Sequence, residues 1–186
     1  MTPRISALSD EQAPAAALPI LQATQRALGM VPNLHRTLAH APAALKAYAG
    51  LTEALSQGAL PAQLREQIAV TTAGSNGCVY CASAHTMLGK HAGVSADELD
   101  ANLRGQSADA QTQQVLTSVQ ALIDHTGDLP DEELGALRRA GMGDAEILEI
   151  VAHVGMNIFT NMVNRLARTE VDFPLVQLNA TEGSVG

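Results

Sequence analysis

From about residue 10 to residue 168 this chain repeats one figure: apolar residues return every three or four positions, and each run is closed by a glycine or opened by a proline. No segment sustains period-two alternation with β-branched enrichment, so a sheet has nothing to be built from. The expected fold class is therefore all-α, a helical bundle in a single domain. The pattern predicts helices over 10–28, 33–40, 42–57, 61–73, 77–91, 95–103, 109–126, 130–140 and 144–168.

The punctuation falls where these helices need it. Gly29, Gly58, Gly93, Gly105, Gly127 and Gly141 stand at expected ends, and Pro61 and Pro130 at expected starts. Ser95 with Glu98 three residues later has the spacing of a capping box. The last residues, NATEGSVG, lack apolar periodicity, so the domain is expected to span 1–174, with a motif core at 61–105 and a loose tail at 175–186.

Composition narrows the core and the partners. Apolar residues make up 46% of the 186 but aromatics only 2%, and tryptophan is absent, so Ala, Leu, Val, Ile and Met must fill the interior. The net charge of −8, with no cluster of Lys or Arg, argues against a nucleic-acid partner. Apolar runs are too short and too often broken by charge to span a membrane, and the N-terminal stretch does not read as a signal-peptide core. The expected location is cytoplasmic, where a C-x-x-C pair more often serves catalysis or a metal than a structural bridge.

Both cysteines of the chain lie in SNGCVYCASAHTMLGK, residues 75–90. On a helix Cys78, Cys81 and His85 fall at i, i+3 and i+7, one face over about two turns. The SNG turn places Cys78 at the helix start, where free amides and the macrodipole favour a thiolate, and His85 can exchange a proton with Cys81. Reduction of a peroxide needs an attacking thiolate, a proton donor for the departing oxygen and a second thiol to resolve the sulfenic acid. Glu66, twelve residues before Cys78, can reach His85 directly or through a water if the two helices form an antiparallel hairpin around 74–77.

Other readings of the same residues remain open. The cysteines could be small buried apolar groups, Glu66 a solvated residue paired with Arg65 or Lys90, and Cys78, Cys81 and His85 three ligands of a zinc ion completed by His91 or a carboxylate. Tyr80 is expected to pack by its ring, though its hydroxyl could donate near the thiols. His153, Asn157, Asn161 and Asn164 form a polar stripe on an apolar helix, read as a helix interface or a network behind the site. His35, His40 and His125 carry no expected role, and the methionines, Met162 among them, are expected to fill the core. LREQIAVTTAGSNGCVYC also echoes ILEIVAHVGMNIFTNMVN, matching Glu66 to Glu149, Cys78 to Asn161 and Cys81 to Asn164, as a duplicated helical hairpin would.

The pattern E-x11-C-x-x-C-x3-H, with VPNLHRTLAHAPAALKAY, ALPAQLREQIAV and EILEIVAHVGMNIFTNMVNRLARTEVDFP around it, resembles the alkylhydroperoxidase (AhpD-like), peroxidase-related branch of the carboxymuconolactone decarboxylase family over most of 28–174. The resemblance implies an all-helical trimer or hexamer that reduces organic hydroperoxides or hydrogen peroxide without metal or organic cofactor. In that scheme Cys81 forms the sulfenic acid, Cys78 gives a proton and resolves it to a disulfide, and Glu66 and His85 relay protons. A dithiol, such as a lipoyl group or a small redox protein, would restore the thiols. The position held here by Tyr80 is often histidine in such proteins. The alternatives are a redox-sensing or binding oligomer of the same fold, and a decarboxylase-like enzyme of the family.

Overall fold

The computed structural model describes residues 2–178, and all regular structure among them is helical. Nine helices follow in chain order: α1 Leu18–Leu28, α2 Asn33–Leu38, α3 Pro42–Ser56, α4 Ala62–Ser75, α5 Val79–His91, α6 Ala96–Asn102, α7 Ala110–Asp124, α8 Asp131–Arg139 and α9 Asp144–Ala167. None of them is long and apolar enough to cross a membrane.

Helix α4 is the centre of the bundle. Seven consecutive residues, Gln67 to Ala73, are buried, because α5, α6, α7 and α9 all lie against it. A helix covered on every side can carry few large polar groups, and its sequence QIAVTTA keeps them small: Thr72 donates its hydroxyl to the Ile68 carbonyl and Thr71 to that of Asn102. Gly74 makes the crossing possible, since a Cβ there would run into the Leu103 backbone carbonyl. Three residues on, Gly77 turns the chain with φ of 61°, a left-handed conformation open to glycine, and α5 folds back along α4. This antiparallel hairpin is what sets Glu66 opposite His85.

Two apolar clusters flank it. One, built on Leu21, Leu34, Leu38 and Leu45, wraps Cys78, Tyr80 and Cys81; the other packs Ile68, Val115, Val119, Leu137 and Ile150 between α4, α7, α8 and α9. Aliphatic side chains dominate both, as the shortage of aromatics requires.

Several expectations need correction. The helix expected from residue 10 begins at Leu18, because Pro19 lacks an N–H and is accommodated in a first turn; the chain before it forms turns, with Ala17 donating to the Pro14 carbonyl. The capping box at Ser95 is half formed. Ser95 Oγ accepts from the Glu98 amide, but the Glu98 carboxylate turns inward and accepts from Gln67, Asn102, Ser107 and Ala108. Residues 147–164 lie within the single helix α9, whereas 64–81 contain the α4–α5 turn, so the sequence echo is not a duplicated hairpin. Of the tail expected at 175–186, residues 179–186 lie outside the described residues. Val176 and Leu178 pack on the first cluster, and the Val176 amide donates to Ser83 Oγ at 3.0 Å.

Met162 is not a core residue either. It is 66% exposed and belongs to a stripe of Leu148, Val151, Gly155, Phe159, Met162 and Leu166 along the outer face of α9, spaced by three and four residues. Helical spacing marks which residues share a face; it does not say whether that face meets the core.

Candidate functional site

Cys78 is the N-cap of α5, and its Sγ accepts the Cys81 amide at 3.3 Å. The first turn of a helix leaves such amides without intrahelical partners, so the sulfur takes the place usually held by a Ser or Asp oxygen. Cys78 and Cys81 are joined as a disulfide with their Cα atoms 5.3 Å apart, and both are buried.

One turn further, His85 meets Glu66 directly: Nδ1 lies 2.8 Å from Oε2, with the two side chains 20% and 22% exposed. The contact fixes the ring by Nδ1 and leaves Nε2 as the nitrogen free to exchange a proton. Glu66 therefore pairs with His85 rather than with Arg65, whose guanidinium donates to the Leu55 and Ser56 carbonyls. No group of three or more His, Cys, Asp or Glu side chains among the described residues is placed to hold a metal ion, and His91, one candidate for the fourth zinc ligand, is exposed.

Cys81, Glu66 and His85 share the wall of a cavity of about 240 Å³ between α3, α4, α5 and α9. Its remaining lining is mostly apolar, with Leu28, Leu34, Tyr48, Leu88, Met156 and Phe173, and a few polar groups, chiefly His35, His153, Asn157 and Asn164. Such a site suits a compact organic molecule whose reactive atom reaches Cys81.

The polar stripe of α9 turns out to stand behind the sulfurs. Asn164 Nδ2 donates to Cys81 Sγ at 3.3 Å; Asn161 Oδ1 accepts from Asn76 Nδ2 at 2.9 Å in the turn before Cys78; Asn157 Nδ2 donates to the His153 carbonyl at 2.8 Å. The sequence echo had matched Cys81 to Asn164, and those two side chains touch. His153 lines the cavity with Nε2 buried and unpartnered. Burial, and then the Arg65 charge, lower its pKa, against the opposing pull of Glu149 and Glu66.

Tyr80 packs as expected. Its ring meets Phe173 edge-on at 5.6 Å, its hydroxyl accepts the Leu34 amide at 3.0 Å, and burial raises its pKa. His35 is the residue that sequence reasoning passed over: α2 carries it to the cavity wall against Tyr48, where burial pushes its pKa down to about 4 despite Asp172. No spacing along the chain signals this, because the contact is made only when α2 docks on α3 and α9.

Comparison with known proteins places this geometry. Residues 42–124, which contain Glu66, Cys78, Cys81 and His85, match the model of the carboxymuconolactone decarboxylase family. No curated protein matches the chain by sequence. Among solved structures, an alkylhydroperoxidase AhpD core, an uncharacterized peroxidase-related protein from Ralstonia eutropha JMP134, superposes with a TM-score of 0.80 at 23% identity, covering 92% of this chain and 94% of that one. An uncharacterized peroxidase-related protein from Silicibacter sp. TM1040 gives 0.74 at 25% identity over 97% and 95%. The debrominase Bmp8, as a cysteine-to-alanine variant in complex with 2,3,4-tribromopyrrole, gives 0.78 at 21% identity over 92% and 93%.

Proposed function

We propose, from the match of residues 42–124 to the carboxymuconolactone decarboxylase family model and from the AhpD-like fold, that the chain is a thiol-dependent peroxidase in which Cys81 attacks and Cys78 resolves. The observation that carries this reading is the placement of Cys81, disulfide-bonded to Cys78, on the same cavity as the hydrogen-bonded Glu66–His85 pair. In the reduced protein the Cys81 thiolate attacks the terminal oxygen of a hydroperoxide. The O–O bond breaks, the alcohol leaves with a proton supplied through His85 or the Cys78 thiol, and Cys81 becomes a sulfenic acid. Cys78 then attacks that sulfur, releasing water and forming the disulfide, and a dithiol returns the two electrons.

The apolar cavity favours small organic hydroperoxides with compact hydrocarbon parts. The α9 stripe is assigned to self-association. A second copy placed antiparallel about Gly155 sets Leu148 against Met162 and Val151 against Phe159. Phe159→Glu is expected to lower the apparent mass on a sizing column.

The test is intact-mass analysis of pre-reduced protein mixed with one equivalent of tert-butyl hydroperoxide. Rapid loss of two hydrogens, with a trappable sulfenic acid in Cys78→Ser and none in Cys81→Ser, is the expected result. A wild type that stays reduced for minutes would end the peroxidase reading and favour a slow redox sensor. Activity on a lactone that survives loss of both cysteines would favour a decarboxylase.

A second reading uses the same electrons. The mostly apolar lining around Cys81 also suits a flat halogenated ring, as in the structurally similar debrominase, and a dithiol can deliver two electrons to a carbon–bromine bond and release bromide. Bromide release from 2,3,4-tribromopyrrole with disulfide formation would support it.

A further inference from the structure

The two sulfurs of the disulfide face different openings. Cys81 lines the cavity that holds Glu66 and His85, and Cys78 does not; Cys78 lines a wider cleft of about 730 Å³, and Cys81 does not. Tyr80 and Asn164 line both and form the wall between them.

The cleft has the character of a binding surface. Among the described residues Arg165 and Arg168 line it with a single opposing carboxylate, Glu170, on a chain whose net charge is −8. Arg168 ends α9 with φ of 51°, a left-handed cap where glycine or asparagine is usual. Asn164 Oδ1 and Thr169 Oγ1, on two lining residues 4% and 9% exposed, are buried without a hydrogen-bond partner among the described residues. Buried polar atoms are rarely left unpaired, and a ligand is one way to satisfy them.

Thiol–disulfide exchange adds a directional requirement. The attacking sulfur approaches along the S–S axis, from the side of the attacked sulfur away from its partner. We propose that the Arg165–Arg168 cleft receives an anionic dithiol reductant, which attacks Cys78 while the Cys81 cavity is kept for the oxidising substrate. The proposal rests on the redox reading of the disulfide given above.

The step balances. A thiolate of the reductant bonds to Cys78 Sγ, the Cys78–Cys81 bond breaks, and its electron pair leaves on Cys81 Sγ, which the Asn164 amide stabilises until a proton arrives. The second thiol of the reductant then attacks its own sulfur in the mixed disulfide and expels Cys78, which is protonated. One dithiol becomes one disulfide, and two cysteine thiols are restored.

The test separates the two half-reactions. Oxidised full-length protein is reduced by dithiothreitol, a dithiol whose only charge is its attacking thiolate, or by dihydrolipoate, which adds a carboxylate, and thiol release is followed over a range of salt. Local attraction by the arginines makes added salt slow the dihydrolipoate reaction, whereas repulsion by the net charge of −8 would make salt speed it. Arg168→Glu is expected to slow reduction by dihydrolipoate about tenfold and by dithiothreitol less, leaving oxidation of the reduced protein by tert-butyl hydroperoxide unchanged. Arg165→Glu gives the same pattern if Arg168→Glu fails to fold. The monothiol 2-mercaptoethanesulfonate, trapped by acid and mapped by peptide mass, is expected on Cys78. Salt acceleration with dihydrolipoate, or an adduct on Cys81, overturns the proposal. Failure of hydroperoxide to oxidise the protein sinks the peroxidase reading alone, since the reduction measurements start from disulfide formed by any oxidant.

Discussion

Replacing Asn164 by alanine isolates one interaction at Cys81, the sulfur proposed to attack. Its amide donates to Cys81 Sγ at 3.3 Å, while its carbonyl oxygen has no partner, so the substitution removes one hydrogen bond and breaks no other side-chain bond of Asn164. In the reduced protein the acceptor becomes a thiolate, and a hydrogen bond to a charged group contributes about 1.5–3 kcal/mol. Its loss cuts the thiolate population about 10- to 150-fold at a pH where the thiol form dominates. The surviving thiolate is more basic and therefore more nucleophilic, with a Brønsted coefficient of about 0.4–0.5, so reactivity falls by about 4- to 20-fold. The assay is alkylation of Cys81 by iodoacetamide, followed by intact mass in a Cys78→Ser background with and without Asn164→Ala. Equal rates across the pH range, with both proteins folded, would show that the amide does not stabilise the thiolate and would refute the reasoning.

Three further outcomes are expected. His85→Ala should slow hydroperoxide-driven disulfide formation by about 10²–10⁴-fold, and Glu66→Gln less; a double variant no slower than His85→Ala would show, by stopped-flow, that the pair acts as a unit. Burial lowers the His35 pKa from 6.5 to about 4, so between these values the unfolded chain takes up a proton that the folded chain refuses. Stability therefore falls as pH drops from 6.5 toward 4, by about 3 kcal/mol at most. His35→Gln should flatten that slope in urea titrations without abolishing it, since burial also lowers the His153 pKa. Gly74→Ala forces a Cβ against the Leu103 carbonyl, a backbone atom that cannot rotate away, and is expected to destabilise the fold by about 1–3 kcal/mol in chemical denaturation.

Much of this protein is written locally. Helix positions follow from apolar spacing and from glycine and proline, because those signals act through the backbone within a few residues, and even the false start at residue 10 is a local matter of Pro19. The C-x-x-C-x3-H spacing brings Cys81 and His85 together because one helix carries both. Eleven residues separate Glu66 from Cys78, and the SNG turn among them is enough to anticipate the hairpin that joins Glu66 to His85. What no local pattern contains is which face of a helix meets which neighbour. Met162 and Asn164 lie two residues apart on α9, yet one is exposed and the other touches the sulfur. His35 reaches the cavity, and Cys78 and Cys81 line different openings, only because α2, α9 and the segment after it dock around the hairpin. The sequence by itself determined the helices and the candidate reacting groups, since both depend on covalent neighbours; the tertiary structure decided burial, access and the partners of each sulfur, since those depend on packing between segments far apart in the chain.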